Sequence, residues 1–278
     1  MQRIAARRSV VLGGAGTVVA LITACAGAGS DGTVSLAGAT SSTSDVSPTA
    51  LPPRAPLPRA PVSPPSASSL SVSSNARLLR LGSSGPEVVA LQRRLAELGY
   101  WTGPDGVKDD GKYGNLTAQA VLAVQKVARI GRDGVVGPRT RAVLEAGVRP
   151  SPRSTSGRMI EVDLARQVLL VVAGGQLRYT LNTSTGSGQW YTRPDGATAH
   201  AVTPRGRYTV FRWVDGWDTS PLGHLYRSRY FNGGISVHGY PSVPAHPASH
   251  GCVRVSLPAM DMIWADGLMP RGGSVWVY

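Results

Sequence analysis

The stretch ISVHGYPSVPAHPASHGCVRVS, residues 235–256, joins two short apolar segments through a loop that holds three prolines. The first of these belongs to GGISVHG, residues 233–239, whose β-branched residues predict a strand. A cysteine, Cys252, stands at the start of the second segment. His238 ends this predicted strand and could lie across from Cys252, and on an extended segment His250 and Cys252 would point to the same face.

The same pattern extends over the C-terminal part of the chain. Runs rich in β-branched and aromatic residues predict further strands: RMIEVDL, QVLLVV, QLRYTLNTS, GRYTVFRW and GSVWVY. One helix is predicted over Pro258–Leu268, with Ser256 as its N-cap. Residues 158–278 are therefore predicted to form a mainly β domain, a sandwich or a partly closed barrel, that is large enough for its own core.

Helical periodicity replaces the strand pattern in residues 77–147, ahead of a predicted linker at 148–157. Ser84 and Glu87 have the spacing of a capping box. The apolar residues that follow fall on one face of a helix: Val88, Leu91, Leu95 and Leu98. Two further helices are predicted, over Leu116–Val127 and Pro138–Ala146. The predicted fold class is α+β multidomain, with a small three-helix domain followed by the mainly β domain.

The N-terminal segment is predicted to direct export. Residues 1–24 combine a cationic start with an apolar run of small residues, as in a signal peptide. The pair Arg7 and Arg8 leaves open whether the route is twin-arginine or general export. The tetrapeptide ITAC ends at Cys25 and resembles a bacterial lipobox, which implies a lipid anchor at the outer face of the cytoplasmic membrane. Residues 25–76, rich in Ser, Pro and Ala, are predicted to be a disordered tether.

The overall charge restricts the class of partner. The chain of 278 residues has a formal net charge of +13, which favours anionic partners such as wall polymers or lipid headgroups. No run of Lys and Arg occurs, and basic residues are not interleaved with aromatic ones. The sequence therefore predicts no binding to nucleic acid.

The second cysteine needs a chemical explanation in an exported protein. With Cys25 lipidated, Cys252 has no disulfide partner, and it is either a buried structural thiol or a nucleophile. A thiol near neutral pH needs a base or a cation to become a thiolate, and nearby histidines favour the nucleophile. Spacing alone does not decide between His238 and His250 as the base. His246 lies in the proline-rich loop and is predicted to be solvated.

A zinc site is the metal alternative for the same residues. The histidines and the cysteine are tetrahedral ligand types in principle. However, no Asp or Glu lies between Asp218 and Asp261 to act as a base beside a metal, and the prolines constrain the loop. The sequence therefore predicts no metal and no cofactor.

The helical region resembles the small three-helix peptidoglycan-binding domain that accompanies many wall enzymes. The resemblance is carried by the stretches GSSGPEVVALQRRLAELGY, LTAQAVLAVQ and DGVVGPRTRAVL. It implies binding to wall glycan or peptide, with a structural spacer as the alternative.

The C-terminal region, residues 158–278, resembles the L,D-transpeptidases, the YkuD-like wall enzymes. Their signature has His-Gly, a loop, and then Ser or Thr before His-Gly-Cys, followed by an apolar residue and Arg or Asn. The stretch TPRGRY, residues 203–208, resembles their Thr-Pro-x-Gly element. The resemblance implies that Cys252 is the nucleophile and His238 the base. It also implies that the backbone carbonyl of Gly239 orients the ring of His238.

The resemblance gives roles to the neighbours of the cysteine as well. Ser249 and His250 would shape the site, and Arg254 would support the strand or the donor peptide. Backbone N–H groups around Gly251 and Cys252 would stabilise the oxyanion.

The implied reaction is an acyl transfer in peptidoglycan. The thiol would release the terminal D-Ala of a tetrapeptide stem, and the acyl group would pass to an amine of a neighbouring stem to give a 3→3 crosslink. Water as acceptor would make the enzyme an L,D-carboxypeptidase, and an inactive wall-binding lipoprotein is a third reading. The implied partners are peptidoglycan and, through the lipid on Cys25, the membrane. The protein is expected to be a monomer whose Cys252 is trapped by carbapenems.

Overall fold

The computed structural model describes residues 77–278, which hold four helices and twelve strands. The helices are α1 (Pro86–Glu97), α2 (Asn115–Ala128), α3 (Pro138–Glu145) and α4 (Leu257–Ala265). The strands are β1 (Arg158–Asp163), β2 (Val168–Ala173), β3 (Gln176–Asn182), β4 (Trp190–Thr192), β5 (Thr198–His200), β6 (Gly206–Thr209), β7 (Arg212–Trp213), β8 (Trp217–Ser220), β9 (Gly223–Asn232), β10 (Ile235–Tyr240), β11 (Val253–Ser256) and β12 (Ser274–Val277). In this part of the chain no helix is long and apolar enough to cross a membrane. The predicted signal peptide, the lipidation site Cys25 and the tether lie outside the described residues.

Helix α1 has the predicted apolar face but a different start. Its buried side chains are Val88, Leu91, Gln92 and Leu95. The predicted capping box of Ser84 and Glu87 is wrong, because Gly85 is the N-cap and no side chain caps the helix. Gly85 has a φ of 115°, a conformation that glycine adopts readily. Ser84 instead pairs with Lys112 in an isolated β-bridge.

Two buried glutamines form hydrogen bonds with the loops that connect the first three helices. Gln92 Nε2 donates to Asp110 Oδ1 at 2.9 Å, and its Oε1 accepts from the N–H of Gly111 at 2.9 Å. Gln125 repeats this arrangement in the next loop, where its Nε2 donates to Asp133 Oδ1 at 2.7 Å. Each side chain satisfies groups of a turn that regular secondary structure leaves unpaired, so the helical region is held together by polar contacts as well as apolar packing.

The C-terminal region consists of two five-stranded sheets and a hairpin. The first sheet has the order β3-β2-β1-β12-β6, and the second has the order β11-β10-β9-β7 with β8 also paired to β9. Strands β4 and β5 pair only with each other. Strand β1 runs parallel to β12, and β10 runs parallel to β11. Helices in the N-terminal part followed by a mainly β region confirm the predicted fold class.

The two large sheets and helix α4 enclose one apolar core. Its buried members include Val162, Leu169, Val171, Phe231, Val237, Val253, Val255, Met260, Ile263, Val275 and Val277. Helix α4 begins as predicted, because Ser256 Oγ accepts a hydrogen bond from the N–H of Ala259 at 3.3 Å. The core thus fixes the position of strands β10 and β11, which carry the predicted site residues.

The helical region and the first sheet bury a second apolar cluster. Residues Val168, Leu170 and Val172 of β2 point away from the first core and pack with helical side chains such as Leu95 and Val121. Strand β2 is therefore apolar on both faces, since successive side chains of a strand alternate. The helical and β regions lie in one compact unit.

The segment predicted as a linker, residues 148–157, is hydrogen-bonded to the first sheet. Glu161 on β1 is fully buried, and its carboxylate accepts hydrogen bonds from the backbone N–H groups of Arg153 and Ser154, at 3.0 and 2.7 Å. The hydroxyl of Tyr278 donates to the same carboxylate at 3.0 Å. The guanidinium of Arg153 lies 3.7 Å from the centre of the Tyr278 ring. The connection between the two regions is held at several points.

Candidate active site

Two parallel strands, β10 and β11, bring His238 and Cys252 together. Their register pairs His238 with Arg254. Because side chains alternate along a strand, Ser236 and His238 share one face of the sheet, and Cys252, two residues before Arg254, is directed to that face as well. The thiol donates weakly to the carbonyl of Gly234 at 3.7 Å, and Ser236 Oγ donates to Sγ at 3.8 Å.

His238 is buried, and its ring is oriented by its own strand. Its Nδ1 lies 2.9 Å from the carbonyl oxygen of Gly239. A carbonyl only accepts hydrogen bonds, so Nδ1 carries the proton and Nε2 keeps its lone pair. Burial lowers the pKa of His238 to about 4, the charge of Arg254 acts in the same direction, and the bond to Gly239 opposes it. The imidazole is therefore neutral at pH 7 and can accept a proton at Nε2.

Gly239 has no room for a side chain. A Cβ at this position would lie 2.8 Å from Cδ1 of Tyr226 and 3.1 Å from Cβ of Met260. The close approach of β9 and α4 to β10 thus requires glycine here. The carbonyl that orients His238 is consequently fixed by packing on both sides.

The thiol of Cys252 is also uncharged at neutral pH. Burial raises its pKa above the ordinary value, although hydrogen bonds from Ser236 and the charge of Arg254 oppose this. Within residues 77–278 the hydrogen-bond contacts of Sγ are those to Gly234 and Ser236, and His238 is not among them. The resting site therefore holds a thiol and a neutral imidazole rather than a thiolate–imidazolium pair.

The cysteine loop, residues 241–251, ends in a tight turn. Ser249 is buried; its Oγ donates to the carbonyl of Cys252 at 2.6 Å and accepts from the N–H of Gly251 at 3.0 Å. Gly251 has a φ of 139°, and a Cβ there would lie 2.8 Å from the carbonyl oxygen of Val202. The predicted oxyanion donor Gly251 N–H is thus engaged by Ser249, which leaves the N–H of Cys252 as the better candidate.

Arg254 and His250, two residues after and two residues before Cys252, have different partners. Arg254 Nη1 donates to the carbonyl of Ala248 at 3.2 Å, and its guanidinium lies 4.1 Å from the centre of the Tyr240 ring. Arg254 therefore holds the end of the cysteine loop. His250 is exposed and its ring centre lies 4.5 Å from that of Tyr191 on the β4–β5 hairpin.

A cleft of about 950 Å³ opens beside these residues. His238 and Cys252 line it, together with residues of the β4–β5 and β8–β9 hairpins such as Tyr191 and Leu222. Its charged lining residues are Arg193, Asp195, Arg212, Asp218 and Arg254. The cleft has the dimensions of a small-molecule or peptide site. Across residues 77–278, no group of three or more His, Cys, Asp and Glu side chains is arranged to hold a metal ion.

Comparison with known proteins identifies the two regions. A family model described as L,D-transpeptidase catalytic domain matches residues 157–277, and a peptidoglycan binding domain model matches residues 84–144. The solved structure of the L,D-transpeptidase from Xylanimonas cellulosilytica is 48% identical, and the match covers 73% of this chain and 98% of that chain with a TM-score of 0.69. This chain belongs to the L,D-transpeptidase family.

Other relatives of this chain are more distant or match only in part. An L,D-transpeptidase (Yku) structure from Stackebrandtia nassauensis is 23% identical, covering 72% of this chain and 94% of that chain, and its TM-score of 0.42 is too low to support an inference. The N-acetylmuramoyl-L-alanine amidase CwlL from Bacillus licheniformis is 42% identical over 94 residues, which are 34% of this chain and 26% of the amidase. The chain spans about a quarter of that curated relative.

Two polar residues near Cys252 were not given a role from sequence alone. Ser236 is fully buried with its hydroxyl against the thiol; the signal that could have found it is its place two residues before His238 on the same strand. Thr203 accepts from the N–H of Gly186 at 3.0 Å and donates to the carbonyl of Gly251 at 2.6 Å. It therefore fixes the turn next to the cysteine, which explains a Thr at that point of the TPRGRY stretch.

Proposed function

We propose that this transpeptidase attacks tetrapeptide stems of peptidoglycan with Cys252 and builds 3→3 crosslinks. The observation that carries the proposal is the orientation of His238. Its Nδ1 is bound to the carbonyl of Gly239, so the basic Nε2 is the nitrogen left to take a proton on the face shared with the thiol. A nucleophile, a base and a group that orients the base are the components of covalent acyl transfer.

In the first half-reaction, Sγ of Cys252 attacks the carbonyl carbon of the third, L-centred residue of the stem. Nε2 of His238 takes the thiol proton as the C–S bond forms. The carbonyl oxygen becomes an oxyanion, which the N–H of Cys252 stabilises. The imidazolium then gives its proton to the nitrogen of the departing D-Ala, the C–N bond breaks, and a thioester remains.

In the second half-reaction, an amine of a neighbouring stem attacks the thioester carbonyl. This amine is the side-chain amine of the third residue or a bridge amine attached to it. His238 takes a proton from the attacking nitrogen and returns it to the leaving sulfur of Cys252. The products are a new amide, which is the 3→3 crosslink, and the free thiol.

One arginine of the cleft fits a carboxylate of the substrate. Of the charged lining residues, Arg193 pairs with Asp195 at 3.9 Å and Arg212 with Asp218 at 3.8 Å, which leaves Arg254 as the lining arginine without an acidic partner among the described residues. Stem peptides carry carboxylates, and an arginine near the nucleophile attracts such a group. We assign to Arg254 a double role, because it holds the cysteine loop and also faces the cleft.

The proposal places the enzyme in the cell envelope. Export by the N-terminal segment and lipidation of Cys25 would anchor it at the outer face of the cytoplasmic membrane, and the peptidoglycan binding domain would hold it at the wall. Replacing Cys25 by Ser should release the protein from the membrane fraction. Salt-resistant membrane association of that variant would point to another anchor.

Mass spectrometry with a disaccharide tetrapeptide tests the reaction. The expected result is an acyl-enzyme on Cys252, free D-Ala and a crosslinked dimer, all lost in Cys252→Ser. Release of tripeptide without dimer would replace the proposal by a carboxypeptidase. A folded, reduced protein that forms neither product would favour a wall-binding protein without catalysis.

A further inference from the structure

Lys126 is a fully buried lysine at the contact between helix α2 and the β region. Its Nζ donates to the carbonyls of Gln167 and Thr183, at 3.1 and 2.8 Å, and to Oδ1 of Asn182. All three acceptors belong to the β region. Burial lowers the pKa of Lys126 to about 7, and the charge of Arg132 acts in the same direction. An apolar residue would fill this position at a lower desolvation cost, so the hydrogen bonds themselves need an explanation.

Asn182 extends this contact from helix α2 to the cysteine loop. Its Nδ2 donates to Gln119 Oε1 at 2.6 Å and to the carbonyl of Val243 at 3.1 Å. Gln119, which is also on α2, donates to the same carbonyl at 3.2 Å. Arg132 reaches the next part of the loop, because its Nη1 donates to the carbonyl of Ala245 at 3.3 Å. The helical region thus donates side-chain hydrogen bonds to backbone carbonyls of the cysteine loop.

The residues that follow Asn182 extend the contact to Arg254, two positions after Cys252. Thr183 Oγ1 donates to the carbonyl of Arg254 at 2.6 Å, and the N–H of Arg254 donates to the carbonyl of Ser184 at 2.9 Å. Ser184 Oγ donates to the carbonyl of His246 at 2.8 Å. The segment 182–184 therefore lies between helix α2 on one side and, on the other, both the cysteine loop and the residue two positions after Cys252.

We propose that Lys126 and Gln119 are positioning residues of the transpeptidase reaction. Through Asn182, Thr183 and Val243, helix α2 of the peptidoglycan binding domain completes the scaffold that holds the cysteine loop. This inference rests on the proposed function, because it assumes that Cys252 is the nucleophile. It gives the helical region a task in catalysis in addition to any binding of the wall.

The test compares residues of α2 that contact the segment or the loop with one that does not. Lys126→Met and Gln119→Leu remove the donors with little change in volume. Gln125→Leu is the matched control, because Gln125 is equally part of α2 but bonds only within the helical region. Lys108→Met controls for the loss of a positive charge at an exposed position.

We expect kcat/KM for release of D-Ala to fall about tenfold to a hundredfold in Gln119→Leu and Lys126→Met, because small displacements of reacting groups have effects of that size. The fall should appear mainly in kcat, and the double variant should lose less than the product of the two single losses, because both act on one segment. Gln125→Leu should lower the Tm and leave kcat/KM at 25 °C within about twofold of wild type.

If Gln119 and Lys126 only stabilise the fold, their variants should lose stability but keep the activity of the folded protein. The proposal is overturned if Gln119→Leu is folded and its kcat/KM stays within about twofold of wild type, or if Gln125→Leu loses as much activity as Gln119→Leu. Should Lys126→Met fail to fold, Gln119→Leu alone decides. Hydrogen exchange separates this inference from the proposed function. Faster exchange of amides 243–254 in Gln119→Leu than in Gln125→Leu would support the positioning contact even if wild-type protein released no D-Ala, and equal exchange would contradict it.

Discussion

At the level of single residues, the thiol of Cys252 and the imidazole of His238 are both uncharged in the resting site. The pKa of Cys252 is raised by burial and that of His238 is lowered by burial. Both shifts favour the neutral form, and both would be reduced if substrate brought polar groups into the cleft. The thiol is therefore expected to react by proton transfer to His238 during attack, and not as a thiolate formed in advance.

The pH dependence of thiol alkylation tests this expectation. In the Cys25→Ser background, the rate of alkylation of Cys252 by iodoacetamide should rise about tenfold per pH unit between pH 6 and 8, because the thiolate fraction below a raised pKa increases in that proportion. His238→Ala should change this profile little. A plateau of fast alkylation across the same pH range, lost in His238→Ala, would show a preformed ion pair instead.

The histidines of the region should differ sharply in importance. His238→Ala should slow both D-Ala release and acylation by meropenem by about 10²–10⁴-fold, the usual contribution of a positioned base. His246→Ala should be close to wild type, because the His246 side chain is exposed and only its carbonyl is used, by Ser184. Intact-protein mass spectrometry measures the adduct. If His250→Ala reproduced the loss and His238→Ala did not, the base would be misassigned.

At the level of elements, the sequence predicted those whose apolar pattern is uninterrupted. Strands β1, β2, β10 and β12 and the inner face of α1 fall where periodicity placed them. Strand β9 was not predicted, because polar residues interrupt its pattern. Arg229 is nonetheless buried on this strand, with its guanidinium 3.7 Å from the centre of the Trp264 ring. Stacking on an aromatic ring that is distant in the sequence allows a charged residue to be buried in a strand, and the local sequence does not show that contact.

The orientation of His238 was also beyond the reach of spacing. Sequence alone left His238 and His250 open as the base, and only the family resemblance chose between them. The two histidines have different surroundings in the structure. His238 lies within β10 beside α4, and His250 lies in a bend before β11. The roles of Ser249 and Gly251 depend on side-chain contacts of the turn, which no pattern in the sequence encodes.

Packing between β9, β10 and α4 gives a prediction for Gly239. Gly239→Ala places a methyl group against Tyr226 and Met260, and overpacking of this kind should lower the free energy of unfolding by about 1–3 kcal/mol. The shift of the Gly239 carbonyl should also slow acylation by meropenem. Gly131→Ala, at a position with open space, is the control and should change stability by less than about 0.5 kcal/mol. Equal stability of the two variants in urea would contradict this account of the packing.

At the level of the whole molecule, periodicity predicted a helical region and a β region but not how they contact each other. Residues 148–157 were predicted only to be a linker. In the structure Glu161 binds the backbone of that segment, and β2 presents a second apolar face to the helices. The uninterrupted apolar residues of QVLLVV indicate a strand that is buried on both faces, because a strand with one exposed face would alternate apolar and polar residues. The partner of the second face could not be named from the pattern alone.

The shared apolar cluster predicts that the β region depends on the helical one. A chain that starts at residue 158 would expose Val168, Leu170 and Val172, and each buried apolar side chain contributes about 1.5–3 kcal/mol. Their sum is comparable with the whole stability of about 5–15 kcal/mol of a typical domain. It would also leave Glu161 buried without the backbone donors of Arg153 and Ser154. We therefore expect this chain to aggregate or to lack a cooperative thermal transition, whereas a chain that starts at residue 77 should unfold cooperatively in calorimetry. A soluble 158–278 chain with a cooperative transition and full meropenem acylation would show that the β region needs neither contact.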